Sequence, residues 1–587
     1  MTPLTLYDYQ EECVDKLKTN DKGIVCLPTG TGKTLIQATV IANDIIQYPN
    51  QFRLYVINAP RIMLSYQLMK EVYTHLMCSH IEARYMCVHS GGQTDMEDLE
   101  KIRTENNDGD TISYSQIESG TSPSKIREMI IKSQNQNLPL VIFSTYNSAD
   151  RIEQARTSKT IEEVKQELPD IEEPTPEQFG FVNDEWTTKA GEDLYFDEMR
   201  KYQKIQFYKS RPVIPFVESI YDKIDIVMND EAHYLIQERF YNILSILKSN
   251  RCYFFTATMV VSKFDKKDGL YDGRGMNNVE SYGELLYEMS PLEAIRRGRM
   301  VRPRLHFLVS KDTKYTEDDF DKSMGVIIHE AFLHHQNELK GRKPKILVSV
   351  RGVGDIKNFL KCEELQKIIL YGTDVYAVAS DESVKNTIIS SDGNNVKVEK
   401  DITRQEFLRR LKVDGQDRRK SLIVLHFDIL AEGIDVSGFT GILPMRALAK
   451  PKFLQTFGRA ARLDYNDRIR LESGEMKPDD LDKFIKPYAW VIIPALIHEN
   501  NDNILQIENI IKELRTEYGL KPYEDIIVSE DRNGIPVRLD ILSLNNIENT
   551  RNIKSTIEHI EHDIEDEKIS MLNDDEFLDY TINDLKS

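Results

Sequence analysis

No run of about 18 or more apolar residues occurs in this 587-residue chain, so no membrane-spanning helix is expected. The stretch Met1 to Gln10 lacks a basic segment followed by an apolar core, so no secretory signal is expected there. Cysteine is sparse. The six residues Cys13, Cys26, Cys78, Cys87, Cys252 and Cys362 form no C-x-x-C pair, so neither a zinc site nor a disulfide framework is indicated. A reducing, cytoplasmic setting is the expectation. No repeat at solenoid spacing is present. Basic residues are in deficit as well, 76 Lys and Arg against 96 Asp and Glu, for a net charge of −20. Alone, that balance argues against a nucleic-acid binder, which needs cations for phosphates. A whole-chain sum says little about one groove, however, and the acid is concentrated in residues 150–200 and 540–587. Those stretches are solubilising surfaces or, alternatively, surfaces that bind a protein partner or mimic DNA.

What is present is a regular alternation. The length allows three or four domains. Short apolar runs at 23–27, 53–58, 140–144, 224–229 and 252–256 are rich in Val, Ile and aromatics with no polar alternation. Strands covered on both faces look like this. Amphipathic segments such as 33–46 and 64–77 separate them, so the pattern predicts βαβ units around a parallel sheet. A second set at 345–350, 375–379, 422–426, 441–444 and 489–493 predicts a second α/β domain. The expected division is 1–303, 304–499 and a tail 500–587, with the boundary near Arg304. Residues 150–222 are too long for an ordinary connection and read as an acidic inserted subdomain. In the tail, Ile504, Ile507, Ile511 and Leu514 make one apolar stripe at helical spacing. That helix either packs on the second domain or docks a partner. The remainder of the tail reads as helical and acidic.

The strongest local signal is Pro28-Thr29-Gly30-Thr31-Gly32-Lys33-Thr34, between a strand-like and a helix-like run. Gly30 and Gly32 allow a tight turn that presents backbone N–H groups to phosphate, and the following helix adds its positive end. Lys33 would reach β- and γ-phosphates, and Thr34 would offer its hydroxyl to Mg²⁺. The strict loop pattern wants Gly at position 27, where this chain has Leu27. A second buried-type strand ends in Asp230-Glu231-Ala232-His233. Asp230 would hold Mg²⁺ through water, and Glu231 would position the attacking water as base. His233 is either a packed strand-end residue or a link between the phosphate and a facing domain. Gln10, ahead of an amphipathic helix, has the amide geometry to read adenine.

Together these residues resemble superfamily-two helicases over about residues 5–495. Tyr9-Gln10 is similar to the adenine motif, and residues 28–34 and 230–233 to motifs I and II. Ala59-Pro60-Arg61 with Leu64 and Gln67, and Ser144-Thr145-Tyr146, resemble the strand-contacting motifs. Thr256-Ala257-Thr258 resembles motif III, Leu430-Ala431-Glu432-Gly433-Ile434-Asp435 motif V, and residues 455–462 motif VI. The segment with Tyr282-Gly283-Glu284, residues 292–295 and Gly298 resembles the translocase group of restriction-enzyme motor subunits and phage UvsW-like helicases.

The resemblance implies two RecA-like domains in tandem, ATP and Mg²⁺ as cofactors, and nucleic acid as partner, DNA in preference to RNA. It implies that Arg459 and Arg462, with Gln455, act from the second domain on the nucleotide, and that Gly433 and Asp435 border it. His233, Thr256 and Thr258 would couple nucleotide state to motion. Arg61, Thr145, Tyr146 and Arg351 would contact the strand. The insertion departs from the family pattern, and no nuclease pattern is read beside the motor. The expectation is a monomeric ATP-driven DNA helicase or translocase, of phage or other viral source and so acting in a host cytoplasm. An RNA helicase, or an ATPase switch subunit of a viral transcription, repair or restriction assembly, stands as the alternative.

Overall fold

A computed structural model describes residues 5–89, 117–156, 172–182, 185–210, 220–309, 328–378, 386–426, 438–495 and 510–539, less short breaks at 222, 262–263, 266–269, 272, 330, 334, 337–338, 340–341, 351, 360–362, 392–394, 401, 446–449, 512–513, 521–525 and 533–534. Two sheets organise it. The first holds β1 (Lys22–Cys26), β2 (Leu54–Ala59), β3 (Arg84–Val88), β4 (Ile117–Ser119), β5 (Leu140–Thr145), β6 (Ile224–Asp230), β7 (Ser249–Thr256) and β8 (Glu284–Glu288). Their order is β8-β1-β7-β6-β2-β5-β3-β4, and every pairing is parallel.

Burial explains the continuous apolar runs. Along β2 and β5 successive side chains enter opposite cores: Tyr55, Ile57, Val141 and Phe143 one, Leu54, Val56, Leu140 and Ile142 the other. A strand covered on both faces has no polar side to show. Helices α1 (Asp8–Thr19), α2 (Lys33–Gln47), α3 (Ile62–Cys78), α4 (Pro123–Asn135) and α5 (Ala149–Arg156) belong to this domain.

The second sheet holds β9 (Arg302–Val309), β10 (Lys345–Ser349), β11 (Thr373–Val378), β12 (Thr387–Ser391), β13 (Val396–Glu399), β14 (Ser421–His426), β15 (Gly441–Pro444), β16 (Tyr488–Ala495), β17 (Ile526–Arg532) and β18 (Ile535–Leu539). Its order is β13-β12-β11-β14-β10-β15-β16-β9-β17-β18. The centre is parallel, and antiparallel pairs close both edges. One core runs from Val25 and Tyr55 of the first domain through Phe453, Phe457 and Ala461 to Val424 and Val491 of the second.

Two expectations need correction. The excursion expected from residue 150 starts later, because α5 is part of the first domain's cover: Ile152 and Ala155 are buried beside Ile126 and Met129 of α4. The N–H of Ile220 donates to the carbonyl of Arg156 at 2.7 Å, so the ends of the excursion meet and the chain returns to the sheet. Between them lie a short hairpin, Phe181–Val182 with Glu185–Trp186, and the helix α6 (Lys189–Ser210). Phe181, Trp186 and Tyr195 gather their rings at 5.0–5.3 Å. The tail is not wholly helical either, since β17 and β18 extend the second sheet from β9. Of the apolar stripe, Ile511 and Leu514 are buried. Nearby Tyr518 meets Phe457 edge-on at 4.7 Å, so these residues pack rather than face solvent. Ile504, Ile507 and residues 540–587 lie outside the described residues. Among those described, no helix is long and apolar enough to cross a membrane.

Candidate active site

The sheet order sets β6, β7 and β1 side by side, so the loops at their carboxyl ends converge, the usual place for a ligand in a parallel sheet. The N–H of Leu27 donates to the carbonyl of Thr256 at 2.9 Å, tying two of those loops. Gly30 and Gly32 have φ of +88° and +87°, a region open to glycine at little cost. At Gly32 a Cβ would also fall 2.3 Å from Gln10 Nε2. Helix α1 grips the loop from outside: Tyr9 Oη and Gln10 Nε2 donate to the Thr31 carbonyl at 2.7 and 2.9 Å. Gln10 Oε1 accepts the Tyr7 N–H at 3.0 Å. Thr31 Oγ1 donates to the Pro28 carbonyl at 2.7 Å. Lys33 Nζ sits inside the turn, donating to the carbonyl of Leu27 at 2.9 Å. Thr34 follows on the first turn of α2, half-buried.

Asp230 ends β6 fully enclosed, accepting from Gln37 Nε2 at 2.9 Å. Burial, with Glu231 beside it, pushes its carboxyl up to about 7 against the pull of Lys33 and Gln37. Glu231 adopts a left-handed backbone, φ +49°, which a non-glycine residue takes only at some cost and which turns the chain sharply off the strand. Its Oε2 is buried without a hydrogen bond; His233 Nδ1 lies 3.4 Å away.

Burial also holds the His233 pKa below its ordinary value, although Glu231 opposes this, so the ring is neutral at pH 7. Gln455 Nε2 lies 3.1 Å from His233 Nε2, and an amide N–H can only donate. The proton is therefore assigned to Nδ1, which faces Thr256 Oγ1 at 3.2 Å. Thr256 Oγ1 donates on to the carbonyl of Thr258 at 2.9 Å. One hydrogen-bond chain thus runs from the second domain, through His233, into the loop after β7.

Gln455 lies on α7 (Lys450–Ala460) of the second domain. On the same helix Gly458 packs against the 28–34 loop, where a Cβ would meet Thr29 Cβ at 3.1 Å. Beyond the helix, Arg462 lies along Gly30, with Cγ and Nε at 3.4 and 3.6 Å from the place of a Gly30 Cβ. Arg459 is buried on the last turn of α7. The Val301 N–H donates to the Ala461 carbonyl at 2.8 Å, so the interdomain connector is tied to this segment.

The strand-contact residues fare differently. Tyr146 is 2% exposed, and its hydroxyl donates to the Asp230 carbonyl at 2.6 Å. It is therefore a core residue supporting the site, contrary to the expectation of a strand contact. Thr145 is also buried, with Oγ1 donating to Ser148 Oγ at 3.2 Å. Arg61 is exposed just before α3. Arg351, Gly433 and Asp435 lie outside the described residues. One residue, Gln37, and one contact, that of the Tyr9 hydroxyl, escaped the sequence reading. Gln37 stands four residues after Lys33, on the same helix face, and that spacing could have found it. The Tyr9 hydroxyl contact left no comparable signal.

Among the described residues no cluster of three or more His, Cys, Asp or Glu could hold a metal alone. Asp230 and Thr34 are hard oxygen donors that suit Mg²⁺, which commonly takes one or two carboxylates and completes its shell with phosphates and water.

Residues 3–261 match the family model described as Type III restriction enzyme, res subunit. The ATP-dependent Type ISP restriction-modification enzyme LlaBIII, solved bound to DNA, superposes with a TM-score of 0.57 at 16% identity, covering 95% of this chain and 33% of that one. The chain thus spans about a third of that enzyme's length. Dbp5 of S. cerevisiae, bound to RNA and ADP BeF3, gives 0.42 at 13% identity, covering 89% of both chains. Mycobacterium smegmatis Lhr, bound to ssDNA and AMP-PNP, gives 0.43 at 10% identity, with coverages of 87% and 48%. No curated protein matches by sequence. The match to the restriction-subunit family model thus covers the first domain, and the fold over nearly the whole chain is like that of LlaBIII.

Proposed function

We propose that the chain hydrolyses ATP and uses the cycle to move along nucleic acid, DNA in preference to RNA, as a helicase or a duplex or branched-DNA translocase. The observation that carries this reading is the position of Arg462 along Gly30, with Gln455 on His233 beside it. Two domains that meet over a phosphate loop can exchange nucleotide state for relative motion. The DNA preference rests on the restriction-type family match and on the DNA-bound relative of like fold.

In this reading Gly30, Thr31 and Gly32 receive the phosphates on backbone N–H groups, and Pro28 and Thr29 shape the turn. Lys33 leaves the loop carbonyls for phosphate oxygens. Gln10, already seated on Thr31, orients the base with Tyr9. Asp230 and Thr34 hold Mg²⁺, which when bound offsets the charge of the phosphates. Glu231 Oε2, without a hydrogen bond, takes the attacking water's proton. Arg459 and Arg462 neutralise charge from the facing domain, so hydrolysis needs the cleft closed. His233, Thr256, Thr258 and Gln455 report that closure. Arg61, Arg351 and the segment with Gly433 and Asp435 border the track and the nucleotide. The working division is 1–303, with its excursion, 304–499 and the tail.

The test is ATP turnover with no polymer, single-stranded DNA, duplex DNA, branched DNA and RNA. DNA should stimulate several-fold, rising salt should weaken the stimulation, and Lys33→Ala should abolish turnover. Stimulation by RNA alone would replace the DNA reading with an RNA helicase. Turnover indifferent to every polymer would favour an ATPase switch in a larger assembly, with the excursion's exposed Val182, Leu194 and Phe196 as its docking side.

A further inference from the structure

Two buried cations of the second domain have no role in the motor described so far. Lys486, 1% exposed, donates from Nζ to the carbonyl of Phe439 at 2.9 Å and to the carbonyl of Arg462. Arg342, 6% exposed, donates from Nη2 to the carbonyl of Gly438 at 2.9 Å and from Nη1 to the Asp464 carboxylate. The two come from distant parts of the chain, one just before β10 and one just before β16. Each nevertheless joins the same two stretches of chain: 438–439, entering β15, and 462–464, leaving α7.

The surroundings hold this arrangement rigid. Arg418 engages the other oxygen of Asp464. Asp467 accepts the N–H groups of Ile485 and Lys486 at 2.9 and 3.0 Å, which fixes the turn that carries Lys486. Gly438 has φ +105°, and a Cβ there would lie 1.9 Å from the Gly415 carbonyl oxygen, so only glycine fits this close approach. Burial pushes the pKa of both cations down. Buried charge of this kind is a poor route to stability compared with apolar packing. What it supplies here is direction: each donor group fixes where two carbonyls or a carboxylate must lie.

We propose that Lys486 and Arg342 form a double clasp that positions Arg462 over the phosphate loop, Lys486 acting directly on the carbonyl of Arg462. They are positioning residues and touch no nucleotide. The proposal rests on the motor reading above. Arg462 stands past the end of α7, beyond the helix's own hydrogen bonds, so its backbone needs outside partners. The connector supplies one at Ala461, Lys486 supplies the next at Arg462, and Arg342 holds the Asp464 side chain two residues on. Because the clasp also holds 438–439, a movement of those residues reaches Arg462 through Lys486 and Asp464 through Arg342.

The test measures ATP turnover and binding of a fluorescent ADP in the full chain, for wild type, Lys486→Met, Arg462→Ala and the double variant, at saturating duplex DNA. A misplacement of about 1 Å can cost about 10²-fold in rate. The clasp predicts that Lys486→Met lowers kcat by tenfold or more, leaves KM for ATP and ADP affinity within threefold, and adds nothing further to Arg462→Ala. Near-wild-type kcat in Lys486→Met, or losses that multiply in the double variant, would overturn it. Should Lys486→Met fail to fold, Asp464→Asn in the same assay decides by the same criteria. Failure of the motor reading has a different signature: Lys33→Ala as active as wild type.

Discussion

The proposed nucleotide side of the cleft and its proposed nucleic-acid side are built differently. On the first, Lys33, Asp230, His233 and Thr256 are each held by a named neighbour within 3.2 Å. On the second, Thr145 and Tyr146 turn into the core, and Arg61 is the exposed member of the set that the described residues include. Phosphate chemistry needs fixed positions in a water-poor site, so its residues are dictated by backbone turns and buried hydrogen bonds. Holding a polyanion needs cations at a surface and little more. Residues of the first kind are therefore fixed by the fold around them, and residues of the second kind are not.

The largest break in that comparison comes from Arg462→Ala. Turnover should fall about 10³-fold with KM for ATP little changed, read by steady-state kinetics. A rise in KM at constant kcat would make Arg462 a binding residue only.

Asp230→Asn should separate stability from function. Asp230 is raised from 3.8 to about 7 in the folded chain. The fold therefore keeps a proton that the unfolded chain releases, so this group's favourable contribution is complete below about pH 4 and lost as pH rises through about 7. The asparagine variant should melt about 2–5 °C higher than wild type at pH 7.5, with the gap closing toward pH 4, while Mg²⁺-dependent turnover falls about 10²-fold or more. A melting difference equal at both pH values would mean that the carboxyl is not burdened by burial.

The smallest effects sharpen the track side. Tyr146→Phe strips the Asp230 carbonyl of its donor and should cost about 1 kcal/mol of stability, with polymer affinity within twofold. Arg61→Ala should leave melting unchanged, weaken polymer binding a few-fold and reduce the salt slope by about 1. The opposite pattern in fluorescence titrations would restore Tyr146 to the strand.

The sequence told most where one requirement acts alone. The central strands were legible because two covered faces leave no polar position, as in β2 and β5. The loop at 28–34 was legible because Gly30 and Gly32 must reach positive φ. Less was legible where a residue type serves two masters. An aromatic such as Tyr146 after a strand suits stacking on a strand and packing in a core equally well, and only the Asp230 carbonyl decides. The start of the excursion was misplaced because α5 is polar on its outer face, and its many charged residues hid the buried Ile152 and Ala155. The tail strands β17 and β18 carry too many charged residues to stand out. The clasp could not be read at all, since Arg342, Gly438, Arg462 and Lys486 are joined by backbone carbonyls, which leave no trace in side-chain spelling.

The account stands on Arg462 meeting charge that develops on a nucleotide held by Lys33, and binding of ADP with aluminium fluoride, a mimic of that charged state, measures it directly. Arg462→Ala should bind ADP alone as wild type does and the fluoride complex about 10²-fold more weakly. Equal affinity of the two proteins for the fluoride complex would contradict the account.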